Sequence, residues 1–429
     1  MAASSEVKPA AGRAAAQRAA AQFEYHLLLL VTLGLVAFGL IMVYSASSGT
    51  AVYQGADPVG ALVKQGVWAV IGVGMLAFAA RFPYRRWRFF AAPLLFVVIG
   101  LLLAVMVPGV GAQINGARRW ILIGPISLQP SEFAKGAVLL FSCAVLAGRR
   151  TPPRTIKQLL SPVGLVALLV CALVVKEPDL GTAIAIAIMV CGVLLVAGTP
   201  YRLFLTSAGV LGAAAALLIY LEPYRRVRLL AFLNPWKDPA GAGYQNVQAL
   251  LALGHGGVWG VGLGNGTLKI GSVPEASSDM IGAVIGEELG LVGIIATALA
   301  FAVFAFLGFR IALRCRDPFG RYLVAGGTAL IAGQAFVNFG AVLGFLPLTG
   351  VPLPLISSGG SSLVVMLAIV GVMLNVADSQ RTPAARSQRK GDADRSEPPK
   401  RATAARADSG RRNGGTRRAG TGSRKRAAS

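Results

Sequence analysis

The sequence predicts an all-α polytopic membrane protein with ten transmembrane helices, two long outward loops and disordered cytoplasmic termini. Three observations predict it. Of the 429 residues, 55% are hydrophobic and only 14% are charged, unlike the balance of a soluble domain. Apolar runs long enough to cross about 30 Å of hydrocarbon recur along the chain. These runs are continuous, so the alternating pattern of a membrane β-barrel is absent.

Residues 1–22 are polar and Ala-rich and read as a disordered cytoplasmic arm. No cleavable signal is expected, because the first apolar run is too long for an h-region. The spans then fall near 26–46, 63–80, 89–107, 132–148, 158–175, 180–198, 202–220, 280–308, 320–345 and 359–378. Together, 23–378 form one membrane domain, with a large outward loop at 221–279. No internal repeat is evident. From 379 to 429 the chain is polybasic, without apolar periodicity, and reads as a disordered cytoplasmic tail.

Lys and Arg set the orientation. Alternate connections carry Arg81, Arg85, Arg86 and Arg88, then Arg149, Arg150, Arg154 and Lys157, then Arg202, then Arg310, Arg314, Arg316 and Arg321. With the basic termini, these belong in the cytoplasm. The opposite connections at 47–62 and 346–358 contain no Lys or Arg. The outward exceptions are Arg118, Arg119, Lys176, Arg225, Arg226, Arg228, Lys237 and Lys269, and they invite a ligand explanation. Much of the net charge of +23 sits in the tail. That basicity suits anionic lipid, at about 1 kcal/mol per residue near the surface, or a cytoplasmic partner, and no nucleic acid is expected. Cys143, Cys171, Cys191 and Cys315 show no metal or CxxC spacing. His26 and His255 are isolated in sequence, so a metal set stays unknown.

The most informative segment is Val273 to Asp279, which ends a polar loop where an apolar span begins. Asp279 reads either as a helix cap or as a general base whose low-dielectric surroundings raise its proton affinity. Glu275 is the second candidate base. Glu287 and Glu288 follow inside the span, where ionisable groups cost at least ~2.5–3.5 kcal/mol each and are functional suspects. Glu132 and Lys135 share one helix face at the start of another span. They read as a local ion pair, or as one that orients Asp279 or a substrate phosphate. In Lys176-Glu177-Pro178-Asp179, Pro178 breaks the helix and Asp179 caps the next, while Lys176 can face an anion. Arg118 and Arg119 suit phosphate or lipid headgroups, and Trp120 suits a sugar face or the membrane interface. The 244–253 stretch is amphipathic and is expected to lie on the bilayer. The Pro- and Gly-rich 345–355 stretch is apolar but cannot be regular helix, so it is expected to pack in protein or line a cavity.

The ordered set Asn115 to Ile121, Gln129 to Lys135, Glu177 to Ala183, Tyr244-Gln245, Gly262 to Gly264, Pro274 to Asp279, Gly286 to Gly290, Leu346 to Leu355 and Ser357 to Ser362 resembles the SEDS family (shape, elongation, division and sporulation). The resemblance covers roughly 26–378. The Gly286 to Gly290 and Gly359 to Ser362 runs look more like the division-type than the elongation-type members. The sequence departs from the family pattern at Ser277-Ser278, where His-Thr or His-Asn is usual, and at Met280, where an aromatic residue is usual.

The resemblance implies a peptidoglycan glycosyltransferase at the outer face of the bacterial cytoplasmic membrane. Such an enzyme polymerises lipid II into β-1,4-linked strands for septal wall synthesis. It implies that Asp279 is essential, that the donor site faces outward, and that the partners are a class B penicillin-binding protein transpeptidase and other division proteins. With a pyrophosphate leaving group, one carboxylate suffices, in contrast to glycoside hydrolysis. Asp279 then takes the acceptor's 4-hydroxyl proton, inverting the donor carbon. Arg118, Arg119 and Lys176 steady the pyrophosphate, and a divalent cation, Mg or Mn, is the one cofactor with a place in this scheme. A lipid II flippase or transporter, and a non-catalytic division scaffold, are the two alternatives.

Overall fold

The computed structural model describes residues 7–53, 55–114, 117–124, 126–221, 223–269, 273 and 275–381. The first six residues, the tail from 382, Asn115, Gly116 and Pro274 lie outside the described residues, as do the side chains of Arg225 and Arg228.

Helices follow one another along the chain: α1 Val7–Tyr53, α2 Gly60–Arg81, α3 Trp87–Val105, α4 Pro130–Gly148, α5 Ile156–Leu159 and α6 Leu165–Lys176, joined by a wide turn. Then come α7 Leu180–Val196, α8 Tyr201–Leu221, α9 Pro223–Leu233, α10 Tyr244–Gly256, α11 Ile281–Arg314, α12 Pro318–Val342 and α13 Gly360–Arg381. Helix stands at each of the ten expected span positions. Among the described residues, eight helices are long and apolar enough to cross a membrane, and α7 is apolar but shorter. Length and composition thus support eight crossings directly. The arm expected to be disordered through residue 22 is helical from Val7. Its Ala-rich sequence favours helix, with Pro9 confined to the first turn.

Side-chain caps start two of the helices, one of them as read in the sequence. Asp179 caps α7, its carboxylate accepting the Thr182 N–H at 3.0 Å. Asp317 does the same for Gly320 at the start of α12, with Pro318 in the first turn. Small residues let helices approach. A Cβ at Gly192 would collide with Ala329, and one at Gly308 with Thr328. The most buried spans are α12, α13 and α4, so they form the centre, and the more exposed spans surround them. Glu24 of α1 ties that helix to α11 through Arg310 at 2.7 Å and Arg314 at 2.6 Å.

Both long loops hold structure. In the first, β1 Ala112–Ile114, β2 Ala117–Ile123 and β3 Ile126–Leu128 form an antiparallel sheet in the order β1-β2-β3. In the second, α10 buries Val247, Ala249, Ala252 and Gly256. It does not simply lie on the bilayer, because Gly256 closes directly on the backbone of Gly286 and Glu287.

The span expected from 280 is not one continuous helix. At Gly290 the backbone takes φ 66° and ψ −163°, a region open essentially to glycine. The break frees backbone groups, and the loop after α10 satisfies them. Val261 and Gly262 donate to the carbonyls of Glu287 and Glu288, while Leu291 and Val292 donate to Gly257 and Val258. Between α12 and α13 the chain is irregular, yet Val351, Leu353, Leu355 and Ile356 are buried. This is the protein-packed loop that its Pro and Gly content predicts.

Candidate functional site

Asp279 sits in a turn that two other elements hold from outside. Within the turn, Glu275 has φ 50°, and its carbonyl accepts the N–H groups of Ser278 and Met280. The inter-helix loop then takes the next carbonyls: Ser358 N–H donates to Ser277 at 2.8 Å, and Ser357 Oγ to Ser278 at 2.6 Å. From α12, Asn338 Nδ2 donates to the carbonyls of both Asp279 and Val351, each at 2.7 Å. Three consecutive peptide groups are therefore fixed. A Cβ added at Gly350 would lie 3.8 Å from Asp279 Oδ2, so that residue borders the carboxylate without a side chain. Beside it, Asn338 Oδ1 and Thr349 Oγ1 are buried without a hydrogen-bond partner among the described residues. Buried polar atoms of this kind call for a partner from outside the chain, such as water, an ion or a ligand. The N-cap of α11 is Met280, with no side-chain cap.

One turn back along α12 from Asn338 stands Gln334. Its amide donates to Pro352 O at 3.1 Å, and its oxygen accepts from Lys135 at 3.4 Å. Lys135 pairs with Glu132 at 2.7 Å, and both side chains are almost fully buried. The ion pair is thus wired to the loop that frames Asp279 through one face of α12.

A third strand of contacts enters from the turn before α7. Asp179 accepts from Gln129 Nε2 at 3.0 Å and Ser131 Oγ at 2.9 Å, and the Gln129 N–H donates to Ser361 of α13. Side chains alternate along β2, so the arginine pair splits. Arg118 is exposed. Arg119 turns to the backbone carbonyls of Glu177, at 2.7 Å, and Pro178. Arg119 is therefore a clamp on that turn, and the two side chains do not form one fork. Trp120 is half-buried and Lys176 exposed. Among the described residues, the hydrogen bonds that frame Asp279 include neither of them, nor Arg118.

The family model described as a cell cycle protein, and named for FtsW, RodA and SpoVE, matches residues 25–382. The chain belongs to the FtsW/RodA/SpoVE family. A protein of Geobacter metallireducens named probable peptidoglycan glycosyltransferase FtsW is 41% identical over 349 residues, covering 81% of this chain and 93% of that one. The stage V sporulation protein E of Bacillus subtilis is 38% identical over 357 residues, covering 83% and 97%. Among solved structures, a chain of a peptidoglycan synthase complex that coordinates polymerization and crosslinking superposes with TM-score 0.69 at 31% identity, covering 82% of this chain and 97% of that one. The rod shape determining protein RodA of Thermus thermophilus gives 0.60 at 29%, covering 83% and 97%. The SEDS resemblance read from the motifs holds, and so does the helical membrane fold.

In this FtsW/RodA/SpoVE member, the two acids inside α11 are structural. Glu288, fully buried, pairs with Lys269 at 2.5 Å and accepts from Ser45 of α1. Lys269 also donates to Gly264 O at 3.0 Å, which accounts for one basic residue that seemed to await a ligand. Glu287 accepts the N–H groups of Thr267 and Leu268 and contacts His255 at 3.1 Å. Together they pin the glycine-rich loop to the broken helix.

Glu177 was legible only as part of a turn. It is 2% exposed, and neither oxygen has a hydrogen-bond partner among the described residues. Burial, and then the charge of Asp179, push its carboxyl up to about 8, against the pull of Arg119. Asn338 and Gln334 were missed altogether. Their signal was two amides four residues apart in an otherwise apolar and small-residue span. Among the described residues no group of three or more His, Cys, Asp or Glu side chains is placed to hold a metal ion.

Proposed function

We propose that this chain is a peptidoglycan glycosyltransferase that polymerises lipid II into β-1,4-linked glycan for the division septum. The observation that carries the reading is the framed carboxylate of Asp279. Its backbone is held by Ser357, Ser358 and Asn338, and Gly350, where an added Cβ would lie 3.8 Å from Oδ2, borders the carboxylate with no side chain of its own. A base fixed in this way is preorganised for proton abstraction.

In the proposed reaction, Asp279 takes the proton of the acceptor's 4-hydroxyl as that oxygen attacks the anomeric carbon of the donor. The bond from that carbon to the lipid pyrophosphate breaks, and the electron pair leaves with the pyrophosphate. Attack from the opposite face inverts the centre. Arg118 and Lys176, both exposed, steady the leaving charge, and Arg119 holds the turn between them. A divalent cation, Mg or Mn, bound with the pyrophosphate would add to that neutralisation of charge. Two lipid-anchored substrates confined to one membrane supply proximity. Ten spans, both termini in the cytoplasm and the site facing outward complete the proposal. A class B penicillin-binding protein is the proposed partner.

Purified full-length protein with fluorescent lipid II tests it. Polymer from wild type, with none from a stably inserted Asp279→Asn variant, is the expected result. Near-normal polymer from that variant removes Asp279 as the base. Leaflet exchange without polymer makes the chain a flippase instead.

A further inference from the structure

Past the turn that carries Asp279, the end of α12 forms one wall of a cavity of about 240 Å³. Phe232 and Trp236 line it from the segment that ends α9, Asn246 and Leu250 line it from α10, and Val342 and Gly344 close it. Trp236 is 58% exposed, so its ring is not a core residue. Aromatic faces beside a single amide form the combination that recognises a pyranose. The C–H faces of the sugar lie on the ring, and its acetamido and hydroxyl groups take hydrogen bonds from the amide.

The position of the cavity gives it meaning. Val342 is four residues beyond Asn338, about 6 Å along the helix, and Asn338 holds the Asp279 carbonyl. On its other side Val342 packs at Gly282, three residues beyond Asp279, where a Cβ would lie 3.3 Å from it. The cavity and the carboxylate therefore flank one helix junction.

We propose that this cavity is a saccharide subsite, holding an N-acetylhexosamine unit of the glycan strand one helical turn beyond Asn338, the residue that holds the Asp279 carbonyl. The proposal rests on the glycosyltransferase reading above. A strand held there stays engaged between additions, so occupancy of the cavity sets how long a chain grows before release.

The test uses full-length protein and two readouts: binding of a lipid-free oligosaccharide of alternating N-acetylglucosamine and N-acetylmuramic acid, and the length of polymer made from lipid II. Trp236→Ala and Asn246→Leu are each expected to weaken oligosaccharide binding roughly tenfold and to shorten the polymer several-fold. Trp259→Ala, at a ring 81% exposed and outside the cavity, should change neither readout. Unchanged binding and length in Trp236→Ala overturn the proposal, as does displacement of the oligosaccharide by a polyprenyl phosphate lacking sugar. Trp236-dependent binding in a protein that makes no polymer would uphold the subsite while removing the polymerase reading.

Discussion

Asn338 Nδ2 stands 2.7 Å from the backbone carbonyl of Asp279 and the same distance from that of Val351. One buried amide therefore joins the start of α11 to the irregular loop, at the residue proposed as the base.

Replacing that amide by a similar volume without donors isolates its role. Asn338→Leu strands two carbonyls, at about 1–3 kcal/mol for each buried group left unmade. The expected outcome is a fall of at least tenfold in polymerisation rate, with the apparent affinity for lipid II little changed. Wild-type turnover in a thermally stable Asn338→Leu protein would mean that the turn holds itself.

Glu177 gives a pH signature. Its carboxyl keeps a proton up to about 8 in the folded chain, against an ordinary value of 4.5. Between those values the unfolded chain binds fewer protons than the folded one, so stability falls as pH rises through this window and levels off above it. Glu177→Gln removes the dependence. Its melting temperature should match wild type near pH 5 and exceed it near pH 9. Parallel curves for the two proteins would contradict a buried, protonated Glu177.

The pair Lys269 and Glu288 is buried on both sides. Lys269→Met leaves Glu288, among the described residues, with Ser45 to meet it, and breaking such a pair costs about 3–5 kcal/mol. Lys269→Met with Glu288→Gln should recover much of that loss. A double-mutant cycle on thermal unfolding measures the recovery, and an additive result would show that the two charges act independently.

At Gly290 any side chain meets both a glycine-only backbone conformation and the backbone of Val258 and Gly260. Gly290→Ala should lower the amount of folded protein in the membrane sharply. Gly34→Ala, where a Cβ meets nothing within 4 Å, should stay within about 1 kcal/mol of wild type. Comparing the two by yield and melting temperature separates the backbone effect from a general intolerance of alanine.

Ser277 and Ser278 explain why the departure from the family pattern leaves the frame intact. The loop grips their carbonyls, which every residue type has. The same reasoning shows where sequence reading stops. Asp279, Glu132, Lys135 and Asp179 were legible because a charge beside an apolar run is conspicuous. Arg119 was legible as a cation but not as a clamp, because only strand alternation in β2 turns it away from Arg118. Glu287 and Glu288 looked functional for the same reason as Asp279, yet neighbours far away in sequence make them structural: Ser45 and Lys269 for one, Thr267 and Leu268 for the other.

Hydrophobic run length and the distribution of Arg and Lys determined that this chain is a helical membrane protein, since transfer into hydrocarbon depends on local composition. The order of the polar motifs determined the family. The tertiary structure decided which polar groups meet. It broke α11 at Gly290 and brought the 351–358 loop onto the Asp279 turn. It also placed Gln334 and Asn338 between the buried ion pair and the carboxylate. Those pairings join residues up to 199 positions apart. They depend on how helices pack and which backbone groups remain unsatisfied, and no local pattern encodes that.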